Sequence, residues 1–113
     1  MNKKDIKTII KVAEKLEWST KIEEDNYILF SKSSPAGQDF NIEIFTDNLD
    51  LEEIINQIEK KYNNFDCSEE TYLWLDNTGH GKNGAPYDMK ELYEDMEECL
   101  KMMNELLEEL QIL

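Results

Sequence analysis

The stretch Tyr27-Ile28-Leu29-Phe30-Ser31-Lys32-Ser33-Ser34-Pro35-Ala36-Gly37-Gln38-Asp39-Phe40-Asn41-Ile42-Glu43-Ile44 decides the fold. At its end Phe40, Ile42 and Ile44 alternate with Asn41 and Glu43, the period of two of a half-buried strand. Tyr27 to Ser33 also alternates enough for a strand, and Ser34-Pro35-Ala36-Gly37 is a turn signal. Upstream, Trp18 to Ile22 adds another strand, with the turn-like Glu23-Glu24-Asp25-Asn26 before Tyr27. Consecutive strands joined by short turns pair antiparallel. The expected meander places Tyr27, Leu29, Ile42 and Ile44 on one side, and that face needs helices to cover it.

The flanks supply those helices. Residues 3–16 carry Ile6, Ile9, Ile10, Ala13 and Leu16 at helical spacing, with Lys4, Lys7, Lys11 and Lys15 on another face. That basic stripe reads as a solvated face, since exposed charge pairs contribute little individually. Downstream, Asp50 and Glu53 fit a capping box ahead of Leu51, Ile54, Ile55, Ile58 and Tyr62, and Asn63-Asn64 ends that helix. Ser68-Glu69-Glu70 opens a short helix through Tyr72, Leu73, Trp74 and Leu75. Asp88 with Glu91 forms a second capping-box signature, and the helix after it runs to the C-terminus without Gly or Pro. The expectation is one α+β domain over residues 1–113, in the order α-β-β-β-α-α-α.

In the last helix Met89, Leu92, Met96, Cys99, Met103, Leu106, Leu110 and Leu113 form an a/d-like seam, widened by Tyr93, Leu100 and Leu107. A stripe this wide is the mark of a packed core face. Eight seam positions also look like more than one small sheet covers, so the seam's far end is read as a homodimer interface. The opposite side carries Glu91, Glu94, Asp95, Glu98, Glu105, Glu108 and Glu109, interrupted by Lys101.

The formal net charge is −14, from 26 acids and 12 bases, and every base is lysine. Without arginine, the usual bidentate reader of phosphate and guanine, so negative a chain is ill suited to direct nucleic-acid binding. It suits a basic protein partner. No apolar run is long enough to span a membrane, and Met1-Asn2-Lys3-Lys4 leads into an amphipathic helix and not into a signal peptide's apolar region. Cys67 and Cys99 fit a reducing cytosol better than a disulfide scaffold.

Between the last two helices lies Asp76-Asn77-Thr78-Gly79-His80-Gly81-Lys82-Asn83-Gly84-Ala85-Pro86, with three of the chain's four glycines. Aligned as an EF-hand from Asp76, it puts His80 at position 5 and Tyr87 where a bidentate Glu is required. Gly79 and Gly84 have P-loop spacing, but Ala85-Pro86 follows in place of Lys-Ser/Thr. Cys67, His80 and Cys99 match no zinc pattern. No nucleophile, base and orienter stand together in sequence. The expectation is therefore a non-enzyme with no metal site and no cofactor.

The pattern Trp74-x-Asp76, Gly79-His80-Gly81-Lys82-Asn83-Gly84-Ala85-Pro86, Glu91-Leu92 and an acidic, apolar C-terminal helix resembles a family of small acidic proteins carried on phages, plasmids and integrated elements of Gram-positive bacteria. The resemblance covers about residues 63–110, and the Ser-Pro-Ala-Gly turn with Asp39-Phe40 fits it too. It implies a mobile-element setting, in the cytoplasm of a bacterial host, where inhibitors of host nucleases such as anti-CRISPR and antirestriction proteins occur.

Two readings follow from the residues. In the first, Glu94, Asp95, Glu98, Glu105, Glu108 and Glu109 form a nucleic-acid-mimicking face for a basic host protein such as a nuclease. In the second, Asp76, His80, Lys82 and Asn83 line a loop at a helix N-terminus that holds a small ligand or anion. A homodimeric structural protein stands beside both.

Overall fold

Three antiparallel strands lie between an N-terminal helix and three further helices in a computed structural model that describes residues 3–24, 26–46, 50–74 and 89–113. The order is α1 (Lys3–Lys15), β1 (Ser19–Glu23), β2 (Tyr27–Ser33), β3 (Asp39–Phe45), α2 (Leu51–Asn63), α3 (Cys67–Trp74) and α4 (Met89–Gln111). This is the α+β meander that the sequence patterns predict. The sheet runs β1-β2-β3, and the molecule measures 48 × 24 × 23 Å.

Local chemistry explains the boundaries. Helix α1 ends with Trp18 N donating to the Ala13 carbonyl and Glu17 N to the Glu14 carbonyl, the paired bonds of a Schellman cap. Glu17 occupies the left-handed position at φ 70°, where glycine is the usual residue. Asp50 caps α2 by accepting from Glu52 N at 3.2 Å. The cap of α3 is Asp66, which accepts from Ser68 N at 2.9 Å and Glu69 N at 3.2 Å, so this helix begins at Cys67, a residue before the expected Ser68. Between β2 and β3, Gly37 takes φ 91° and its N–H meets the Ser34 carbonyl at 2.9 Å. That matches a three-residue hairpin connection with a left-handed glycine.

The register corrects one expectation. Ile28 pairs with Ile44 and Phe30 with Ile42, while Tyr27 pairs with Phe45 and Leu29 with Glu43. Residues directly opposite share a face. The buried face is therefore Ile28 and Phe30 with Phe40, Ile42 and Ile44, and Tyr27 and Leu29 lie on the other side.

One cluster forms the core, joining that sheet face to Ile9, Ala13, Trp18, Ile54 and Ile58 and to the inner side of α4. Phe40 links Trp18, centroids 6.1 Å apart, to Phe65 at 6.0 Å in an edge-on arrangement. Helix α4 packs against α1, α2 and α3 at once. Its seam is thus covered within a single chain: Leu92, Met96, Cys99, Met103, Leu106 and Leu110 are buried, and so are Met102 and Leu107. Toward the far end, where a homodimer interface is expected, Leu106 and Leu110 are occupied by the chain's own core. Only the seam's first and last members, Met89 and Leu113, are exposed.

A candidate protein-interaction surface on helix α4

The outer side of α4 is a row of carboxylates. Glu91, Glu94, Glu97, Glu105 and Glu108 are exposed, and Glu98 and Glu109 are half-buried. With 23 residues the helix is about 34 Å long at 1.5 Å per residue, so the row extends along much of the molecule. Two lysines answer it. Lys101 reaches Glu98 at 3.0 Å, and Lys90 lies 4.0 Å from Glu94. Hydrogen bonding to Glu98, ahead of its charge, raises the Lys101 ammonium above its usual range. These pairs are exposed and each adds little to stability.

Asp95 does not belong to this row. It is 4% exposed, and its carboxylate holds the tip of the β2–β3 hairpin: Ser34 Oγ donates to Oδ2 at 2.5 Å and Ala36 N donates to Oδ1 at 3.0 Å. Ser34 is saturated in turn. Its hydroxyl accepts from Gln38 N at 2.9 Å, and its own N–H and carbonyl bond Gln38 and Gly37. The expectation that Asp95 contacts a partner is corrected: it faces inward because it falls three residues after Leu92 and four before Cys99, inside the buried arc. Glu91 and Glu97 are exposed acids that the expected contact face omitted, and Glu97 was also missing from the acidic side read from spacing. It lies three residues after Glu94, and this spacing alone would have found it.

Where the clamp meets the row, Pro35, Ala36, Glu91, Glu94, Asp95 and Glu98 line an open groove of about 400 Å³. On the buried side of the same helix, burial first and the Asp95 carboxylate second push the Cys99 thiol up to about 12. Cys67 is also raised, first by burial and then by Glu97, and both cysteines are free. Elsewhere Lys7, Lys11 and Lys15 of α1 are exposed, as the solvated-face reading expects.

The loop candidates Asp76, His80, Lys82 and Asn83 lie outside the described residues, as does the expected cap Asp88. Among the described residues no group of three or more His, Cys, Asp or Glu is placed to hold a metal ion, and no helix is long and apolar enough to cross a membrane. Fold and surface together define a small acidic α+β protein with a charged helical face. Comparison with protein-family models, with curated proteins and with solved structures finds no match for this chain.

Proposed function

We propose that this protein acts by binding another protein, as a stoichiometric inhibitor of a basic, nucleic-acid-binding host defence protein of the kind that anti-CRISPR and antirestriction proteins block. The observation that carries the reading is the outward row of α4, seven glutamates against Lys90 and Lys101. Carboxylates on successive turns of a rigid helix present a fixed line of negative charge to a groove built for phosphates. The row needs no rearrangement of the fold, because its inner side is already anchored in the core. In this reading the chain works in the cytoplasm of a bacterial host, does no chemistry of its own and does not bind nucleic acid directly.

The test is DNA cleavage by restriction and CRISPR nucleases of Gram-positive bacteria, with and without the purified chain. Inhibition of at least one nuclease near equimolar ratio is expected. Association should be fast at low salt and slow sharply as salt rises, since exposed charges are screened over about 8–10 Å at physiological ionic strength. The variant Glu94→Lys/Glu105→Lys/Glu108→Lys should lose on-rate while keeping its fold. Inhibition that survives this variant with unchanged salt dependence sinks the proposal.

A further inference from the structure

The helices cover one face of the sheet, and the other face has no cover among the described residues. At one end of it Tyr27 and Phe45 stand side by side on β2 and β3, ring centroids 5.1 Å apart, with Phe45 63% exposed. Leu29 continues this patch between Lys21 and Glu43. At the other end a hollow of about 360 Å³ is lined by serines, by Glu17, Asp39 and Asn41, and by Lys32, whose ammonium is turned away to the Leu16 carbonyl. Phe45 and Asp39 are six positions apart on one strand, so the two ends lie about 20 Å apart at 3.4 Å per residue.

We propose that this open face docks a segment of a partner protein that carries an apolar side chain for the Tyr27–Phe45 end and an arginine or lysine for the Asp39 end. The surface lies on the opposite side of the sheet from α4, and the inference does not depend on the reading of the α4 row.

Charge selects the occupant. Aromatic side chains on an open sheet face are also what single-stranded nucleic acids stack on. Here Glu17, Glu23, Asp39 and Glu43 surround the face, and Lys21 is paired with Glu23 at 2.9 Å. Lys32 is drawn to the Leu16 carbonyl at 2.8 Å. A phosphate chain meets repulsion along this path, whereas a cationic side chain meets carboxylates. Glu17 strengthens the point, since a carboxylate stands at the rim of the hollow on a backbone conformation that glycine adopts more readily.

Approach is over the face and not along the edge at the aromatic end. The Gln57 side chain bonds both the N–H and the carbonyl of Phe45, at 3.3 and 2.5 Å, and so closes the β3 edge there. An added strand has no free backbone groups at that residue.

The test titrates the isotope-labelled full chain with a synthetic peptide that carries a leucine and, six positions on, an arginine, so that both fall on one side of an extended strand, with its leucine–glutamate counterpart and with oligothymidylate, following amide shifts by NMR. The leucine–arginine peptide alone should shift Leu29, Glu43 and Phe45. Phe45→Ser should weaken its binding about tenfold or more, as loss of a central aromatic anchor does. Asp39→Lys, an exposed change at the other end, should weaken it as well, and thermal melts show that both variants are folded. Shifts confined to α4, or none, overturn this inference; those confined to α4 leave the α4 reading standing. Equal shifts with oligothymidylate overturn the charge argument. A dimer in sedimentation that Phe45→Ser dissociates gives the face to a second copy of the chain and overturns it too.

Discussion

On the inner side of α4, Asp95 is 4% exposed and holds Ser34 and Ala36; one position earlier, Glu94 lies in solvent with Lys90 at 4.0 Å. The two acids differ by a single methylene and by about 100° around the helix axis. Asp95 joins elements far apart in the chain, while Glu94 is free to meet something else. Counting acids on a helix therefore overstates its binding surface, because the residues at the edge of the buried arc are taken up by the fold.

The comparison breaks most readily at the centre of the inner arc. Met103 is 2% exposed, and Met103→Glu buries a charge with no partner, so about 4 kcal/mol or more of stability should go. Urea unfolding measures it, and a loss below about 1 kcal/mol would mean that this arc is not core. At the edge of the arc, Asp95→Ala strands a buried hydroxyl and an N–H. The expected cost is about 2–3 kcal/mol, with the hairpin tip exchanging its amide protons faster. Asp95→Ala that melts like the parent would show the clamp to be dispensable.

The Cys99 thiol gives a pH test of the same arc. Its value is raised from 9.0 to about 12, so the protonated form is the one that the fold favours. The stability linked to it is fully present below pH 9.0 and is lost as pH climbs from there toward about 12. Thermal melts between pH 6 and 8 should show no pH dependence from this group, and the native thiol should resist alkylation that proceeds in urea. Rapid alkylation of native Cys99 at pH 8 would contradict its burial. Smallest of all is the outer row, where Glu94→Lys/Glu105→Lys/Glu108→Lys should change stability by only about 0.5 kcal/mol per site. A large loss in calorimetry would make the row part of the fold and not a surface held ready for a partner.

The hairpin was legible because Phe40, Ile42 and Ile44 alternate cleanly with polar residues. The face of β2 was not, because Tyr27-Ile28-Leu29-Phe30 is apolar on both sides, so its pattern marks a strand without saying which side is buried. What sets its face is the connection, three residues between Ser34 and Gln38, and a slip of one position would have turned every side chain over. The acidic side of α4 was legible from composition and spacing. The inward place of Asp95 follows from its position on the helix and not from its residue type, and its partners Ser34 and Ala36 lie far upstream, where no local pattern points. The breadth of the seam has a related explanation: α1, α2 and α3, and not the sheet alone, pack against α4.

The bond from Ser34 to Asp95 spans 61 positions and also bears on the order of events as the chain folds. Closing so long a loop carries an entropic cost that neighbouring contacts must first offset. In a growing chain that has emerged only as far as α2, the serine hydroxyl of the hairpin tip has no Asp95 carboxylate to meet until α4 arrives. Asp95→Ala should accordingly quicken unfolding and leave the refolding rate almost unchanged in stopped-flow experiments. Refolding slowed in proportion to the lost stability would instead put the joining of tip and helix at the rate-limiting step, and the C-terminal helix would then govern when the N-terminal half folds.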